Sequence, residues 1–280
     1  MVNIGKYNTM KVVKSLDFGI YMDGGDGVEI LMPKRYVPEG TEIGDELECF
    51  VYLDSEDRLL ATTEKPYATV GDFAYLRVNS TNQVGAFMDW GVSKELLIPF
   101  REQRVSMEEG RNYMVYIYED LATHRIAGSA KLSKFLDNVP HEYKPNQEVD
   151  LIIMKRTDIG YKVIINGLHS GMIYHNQIFR PLQIGEKTKG YIKEIRPDDK
   201  IDVMLQPMGY EKVVGSLEQT ILDALEDNEG FLPYNDHTDP DTLMQEFHCS
   251  KKNFKKALGA LYKQKKITIA DNGIKLSAGN

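Results

Sequence analysis

Along the first three quarters of the chain, apolar and polar positions alternate in short runs, and those runs return in register three times. Gly19, Gly85 and Gly160 each sit in an apolar-flanked run ("DFGIYM", "QVGAFM", "DIGYKV"), and a second glycine follows 25 residues later at Gly44, Gly110 and Gly185. Between the glycines lie "ILMP", "LLIP" and "GMIY", which put Pro33, Pro99 and Tyr174 each 14 residues past the first glycine. Arg58, Arg125 and Lys200 follow it by 39, 40 and 40 residues. Four matches in one register identify a triplicated unit of about 65–75 residues.

In the second unit the period-two stretches are 73–79, 85–89, 95–99, 113–119 and 125–129. Five short strands, with a proline-and-polar connection between the third and fourth, predict a small Greek-key barrel, the OB-fold. A long β-sandwich spread over the chain would not repeat at this period. The Gly/Asp cluster Asp23–Gly27 lies between two of the predicted strands of the first unit. A phosphate loop would have to open a helix, and an EF-hand loop needs a closing glutamate before a helix; Val28–Met32 is strand-like instead. The second and third units carry unrelated residues at this point, so the cluster reads as a variable hairpin turn.

From about Glu211 the periodicity changes to that of helices. Leu217, Ile221, Leu222 and Leu225 follow Ser216, a predicted N-cap, and "DPDTLMQEFH" reads as a second helix with Pro240 at its first position. Ser250 is expected to cap a third helix whose Phe254, Ala257, Leu258 and Leu261 form one apolar stripe. "KKITIA", a turn at Asp271–Gly273 and "IKLS" then predict a hairpin. Three helices and a hairpin make a winged-helix arrangement, with Lys251, Lys252, Lys255, Lys256 and Lys263 of the third helix off its apolar stripe. The acidic run 236–241 could be taken for a metal cluster, but helix capping by Asp239 and Asp241 explains it more simply.

The predicted fold is therefore mainly β with a small α/β C-terminal domain: barrels over 1–65, 66–140 and 141–209, then a winged helix over 210–280. Boundaries are expected near Lys65, Asn138–Pro145 and Pro207–Glu211, where proline, glycine and polar residues gather. Composition changes this picture little. The formal net charge of −8 argues against a protein that merely coats nucleic acid, yet the charge is segregated. Residues 210–250 carry 1 Lys/Arg against 10 Asp/Glu, whereas 251–280 carry 8 against 1. Residues 1–65 carry 7 against 13. Cys49 and Cys249 are far apart and outside any CxxC pair, which predicts two free thiols. No histidine spacing suits a metal, and no motif of an enzyme or a cofactor site occurs. The chain has no membrane-length apolar run and no signal-peptide pattern at its N-terminus, so a cytoplasmic protein with no membrane partner is expected.

The pattern Phe-Gly-x-aromatic, a Leu-(Val/Ile)-(His/Pro) step, x-Gly-Asp/Glu and a final Asp-x-x-x-Arg resembles the S1 RNA-binding domain. The resemblance is strongest in the first unit and implies base stacking on Phe18 and Tyr21 and nucleotide contact by Asp54 and Arg58. Pro33 stands where that family usually has histidine. In the second unit Phe87 and Arg125 match, with Val84, Pro99 and Leu121 at the remaining positions. In the third, Ile159 and Lys162 replace the aromatics, Tyr174 takes the histidine place, and Arg196 and Lys200 replace Asp and Arg. Three S1-like barrels followed by a winged helix resemble, over essentially the whole chain, the bacterial conserved virulence factor B family. That resemblance implies a cytoplasmic RNA-binding protein acting on gene expression after transcription.

The expected partner is single-stranded RNA. Duplex DNA in the manner of a transcription regulator, or a protein partner such as a ribosomal or RNA-processing protein, are the alternatives. Residues two, four, six and eight past the second glycine share one face of the fourth strand. They are Glu46, Glu48, Phe50 and Tyr52, then Asn112, Met114, Tyr116 and Tyr118, then Lys187, Lys189, Tyr191 and Lys193. Lysines interleaved with an aromatic occur only in the third set. This set, with Lys162, Arg196, Lys200 and the lysines of the third helix, is expected to form one basic path.

Overall fold

The computed structural model describes residues 2–207, 217–247, 249 and 251–277. The chain divides into two compact units, Met1–Asn138 and Val139–Asn280. Unit 1 holds two closed five-stranded barrels. The first contains β1 (Tyr7–Leu16), β2 (Gly19–Asp23), β3 (Glu29–Pro33), β4 (Glu46–Leu53) and β5 (Leu59–Thr62). The second contains β6 (Phe73–Thr81), β7 (Gly85–Asp89), β8 (Leu96–Pro99), β9 (Asn112–Glu119) and β10 (Ile126–Ser129). These differ from the predicted strands of the second unit by one or two residues at their ends, where strand patterns carry least information.

Unit 2 opens with the third barrel: β11 (Glu148–Thr157), β12 (Gly160–Ile165), β13 (His169–Tyr174), β14 (Lys187–Ile195) and β15 (Ile201–Met204). All three barrels share one order. The fourth strand lies between the first and the fifth, and the fifth pairs parallel with the third, at Leu31↔Leu60, Ala127↔Leu97 and Gly171↔Ile201. That parallel pair closes an OB-type barrel, and full closure leaves no open sheet edge. The repeating first glycine now has a cause. A Cβ at Gly19, Gly85 or Gly160 would lie 2.3, 2.2 or 1.9 Å from the carbonyl oxygen of Met32, Ile98 or Ile173 on the neighbouring strand. No side chain fits there.

The Asp23–Gly27 segment is a hairpin turn, as expected. Gly25 and Gly27 have φ of 80° and 78°, and the Asp23 carboxylate accepts from the Gly25 N–H at 2.9 Å.

The barrels of unit 1 share a core. Phe50 and Tyr52 point out of the first barrel and are buried with Trp90, Met88, Ile98 and Ile117 of the second. Phe50 meets Trp90 edge-on at 5.5 Å between ring centroids. The Tyr36 hydroxyl donates to Ser93 Oγ at 2.9 Å, and Arg125 clasps Asp57 through two bonds of 2.6 and 2.7 Å.

The remainder of unit 2 is the winged helix, with α1 (Leu217–Asp227), β16 (Phe231–Leu232), α2 (Pro240–Phe247), α3 (Lys251–Lys263), β17 (Ile267–Ala270) and β18 (Gly273–Leu276). The predicted stripe Phe254, Ala257, Leu258 and Leu261 is buried against Ile221, Leu225 and Leu243. Strand β16 escaped the sequence reading, because two residues give no period; it pairs with β18 at Phe231↔Lys275 and completes a three-stranded sheet. Asp239 caps α2, accepting from the N–H groups of Asp241 (2.9 Å) and Thr242 (3.3 Å). The expected caps Ser216 and Ser250, and residues 208–211 of the last expected boundary, lie outside the described residues. Both cysteines are buried free thiols, and burial pushes each up to about 11.

Candidate nucleic-acid interface

The hairpin of the first two strands carries the same three positions in every barrel. The residue before the first glycine projects into solvent each time: Phe18 is 56% exposed, Val84 54% and Ile159 55%. Two residues past that glycine, the strand partners are Tyr21↔Lys14, Phe87↔Ser80 and Lys162↔Lys155. In the first barrel Phe18 and Tyr21 meet edge-on at 6.4 Å, and the Lys14 ammonium lies 5.5 Å from the Tyr21 ring while pairing with Glu29 at 2.7 Å. In the third barrel two exposed lysines stand opposite each other, an arrangement that repels across an antiparallel pair. Neither has an ion-pair partner among the described residues. Lys155 was missed by the sequence reading; counting the register back across the tight turn at Asp158–Ile159 would have found it.

The turn before the fifth strand differs more between barrels. In the first, Asp54 is nearly buried and accepts from the N–H groups of Glu56 and Arg58 (2.8 and 3.0 Å) and from the Arg58 guanidinium (2.9 and 2.7 Å). Burial alone would raise its pKa, yet these hydrogen bonds and the Arg58 charge hold the carboxyl below its usual range. In the second barrel Asp120 replaces Leu121 as the residue matching Asp54. The Asp120 N–H donates to the Arg125 carbonyl at 2.9 Å, as Asp54 does to Arg58, and one extra turn residue displaced the alignment. Leu121 is 87% exposed. In the third barrel Arg196 makes that same bond to the Lys200 carbonyl. Its guanidinium bonds the Tyr174 hydroxyl and the buried Asp202 (3.2 Å), while Lys200 pairs with Asp198 at 2.6 Å.

On the fourth strand, the outward row meets a different neighbour in each barrel. Phe50 and Tyr52 are covered by the second barrel. In the second barrel, Tyr116 and Tyr118 stack on Phe135 at 4.0 and 5.9 Å. In the third, Lys187 and Lys189 are exposed, and Tyr191 and Lys193 are half-buried. This row is less basic than its sequence implied, because β11 lines acids beside it. Asp150 faces Lys189 and Glu148 faces Tyr191 across the pair. Lys189 pairs with Asp150 at 2.7 Å, and the Tyr191 hydroxyl donates to Glu148 at 3.2 Å. Lys187 and Lys193 have no ion-pair partner among the described residues. A register shift between Ile192 and Glu194 puts Lys193 at an irregularity of the strand.

On α3, Lys252, Lys256 and Lys263 fall at i, i+4 and i+11, so they form one row opposite the buried stripe, with Gly259 in the same row. All three are exposed, with no ion-pair partner among the described residues. Lys251 donates to the His237 carbonyl (3.2 Å), and Lys255 pairs with Asp236 (3.0 Å), so the acidic run on that flank offsets the charge of Lys255 and holds Lys251 by a backbone contact.

A tandem of S1-type barrels ending in a winged helix is the class that this fold and these surfaces define, and both domain types are nucleic-acid binders. Residues 4–64 match the family model described as S1 domain, and residues 219–276 match that of the CvfB-like winged helix domain; neither is an enzyme family. The resemblance to conserved virulence factor B holds over nearly the full chain. The protein of that name from Staphylococcus saprophyticus is 25% identical, covering 98% of this chain and 94% of its own. YitL of Bacillus subtilis, an uncharacterized protein, is also 25% identical over 96% of this chain and 92% of its own. A crystal structure described as a multidomain protein with nucleic acid binding domains, from Streptococcus pneumoniae, is 24% identical over 98% of both chains, with a TM-score of 0.43. No helix among the described residues is long and apolar enough to cross a membrane.

Proposed function

We propose that the protein is a non-enzymatic, cytoplasmic regulator of gene expression that binds single-stranded RNA. The main path is formed by the third barrel, residues 141–209, and the winged helix, residues 210–280. The observation that carries this reading is the row Lys252, Lys256 and Lys263, which has no ion-pair partner among the described residues. The Lys155–Lys162 pair adds to it, since two opposed cations on one sheet are relieved by a bound phosphate. Lysine provides point charges suited to phosphate and lacks arginine's planar fork, which favours sequence-tolerant binding to the backbone. Within the path, Lys162, Lys187, Lys193 and the three helix lysines contact phosphates, while Tyr174 and Tyr191 offer rings to bases. Lys189, Arg196, Lys200, Lys251 and Lys255 are held by partners in the protein and contribute less. In the first barrel, Phe18 and Tyr21 form a stacking platform in acidic surroundings.

The test is fluorescence anisotropy of the full chain with a short single-stranded RNA and with duplex DNA of the same sequence, at two salt concentrations. Tighter, salt-sensitive binding of the RNA supports the reading, whereas preference for the duplex would make the protein a DNA-binding regulator. Binding of neither would leave a protein partner as the function of these surfaces. Division after Asn138 locates the path: residues 139–280 should bind with the steeper salt dependence.

A further inference from the structure

Among the described residues, every glycine but one is required by its surroundings. Each of the others either has a positive φ or would press a Cβ against a neighbouring atom. Gly259, in the middle of α3, does neither: it lies inside a regular helix, and a Cβ there would meet nothing within 4 Å. Glycine is the poorest helix former after proline, and alanine would fit the same space, so neither helix geometry nor packing calls for it. Gly259 stands in the row of Lys252, Lys256 and Lys263, and the exposed row therefore carries a notch of bare backbone between two ammonium groups. At 1.5 Å per residue, Lys256 lies about 4.5 Å before the notch along the axis and Lys263 about 6 Å after it. Tyr262, three residues past Gly259 on the edge of the row, is 57% exposed. Helical side chains lean toward the helix N-terminus, which carries the Tyr262 ring toward the turn of Gly259 and not away from it. The ring has no side-chain hydrogen bond or ring contact among the described residues, and it leaves the notch open.

We propose that Gly259 and Tyr262 form a base-binding subsite on α3, a proposal that rests on the RNA reading above. One base of the strand stacks on the Tyr262 ring, its sugar lies against the bare backbone at Gly259, and the phosphates on either side meet Lys256 and Lys263. Glycine is the residue that lets a ligand approach a backbone closely, and an exposed tyrosine offers its face to any base. The helix is thus less stable than alanine would make it at the one point of the lysine row where a strand can come nearest. The lysines alone account for attraction to phosphate, whereas the notch and the ring give α3 a contact with the base itself.

The full-length protein and its variants are compared by fluorescence anisotropy with a labelled single-stranded RNA at two salt concentrations, and by thermal unfolding. Gly259→Ala should raise the melting temperature of unit 2 by about 3 °C and yet weaken RNA binding, whereas a glycine without a ligand would show the first effect alone. Gly259→Gln, a good helix former that fills the notch without adding charge, should weaken RNA by about tenfold while keeping the salt slope, because no phosphate contact is lost. Tyr262→Ala should do the same, and Tyr262→Phe, which keeps the ring, should bind as the parent does. Salt-sensitive RNA binding by the parent that is unchanged in Gly259→Gln or in Tyr262→Ala overturns the subsite and leaves the RNA reading intact. A lower salt slope in Gly259→Gln would mean that the added side chain displaces phosphates and not a base, and overturns it as well. Absence of RNA binding by the parent itself overturns both.

Discussion

The second and third barrels share one topology and one hairpin geometry, yet their fourth strands meet opposite surroundings. In the first two barrels the outward row ends in aromatics, and each row is packed: Phe50 and Tyr52 under the second barrel, Tyr116 and Tyr118 under Phe135. In the third barrel, the row has lysines at three of its four positions, with its lysines exposed or half-buried. An aromatic in water is drawn to any apolar neighbour, whereas a row of ammonium groups resists cover and keeps a surface open to anions. Copies of a single fold have thus been specialised by what stands at alternate residues of one strand. Unit 1 uses the row for assembly, and unit 2 leaves its lysines exposed or half-buried.

The largest effect that would break this comparison is on stability. Phe50→Ala removes a buried ring shared by two barrels and should cost about 3–5 kcal/mol in denaturant unfolding of unit 1. Tyr191→Ala, at the matching position of the third barrel, should stay within about 1 kcal/mol. Similar losses at both positions would mean that the third row is covered as the others are.

Charge provides the next test. Replacing Lys252, Lys256 and Lys263 together by glutamine should lower the magnitude of the log-affinity against log-salt slope for single-stranded RNA by about 2. The same change at Lys11, Lys14 and Lys34 of the first barrel should leave the slope almost unchanged. Equal effects would assign the path to both units.

The turn before the fifth strand makes the comparison depend on pH. Asp54 has its folded-state pKa below the unfolded value of about 3.9. Its stabilisation is therefore complete above that value and is lost as pH falls through the lower, folded pKa. The matching residue of the third barrel is Arg196, which does not titrate in that range. Asp54→Asn should flatten the acid limb of unit 1's melting temperature and leave unit 2 unaffected. An unchanged acid limb would remove Asp54 as its cause.

The smallest expected effect separates two lysines within the third barrel. Lys162→Gln should lower the salt slope by about 0.7, one phosphate contact on a single strand. Lys189→Gln should lower it less, because Asp150 already offsets that charge. If Lys189 proves the stronger contact, RNA displaces the Asp150 pair and the acids of β11 regulate binding instead of blocking it.

Strand positions, the threefold repeat and the helices of the last quarter were legible in the sequence, because periods of two and 3.6 and the spacing of glycines are local properties of the chain. Part of the candidate interface was legible too: the lysines off the apolar stripe of α3 follow from helix geometry alone. Lys155 and the acids at Glu148 and Asp150 were not, since they enter through strands paired with the one being read. The match of Asp120 to Asp54 was hidden by one inserted turn residue, which shifts an alignment without altering the backbone bond that defines the position.

By itself the sequence determined that this protein would be three barrels and a winged helix, since each barrel closes on its own alternating residues and its own glycine contact. Only the tertiary structure decided which faces were left to bind. Whether Phe50 stacks on a base or buries itself against Trp90, and whether Lys189 meets a phosphate or Asp150, depends on groups distant in the chain or on a paired strand. The energies at stake there are those of desolvation and ion pairing between surfaces, and these have no period along the chain for a sequence reading to follow.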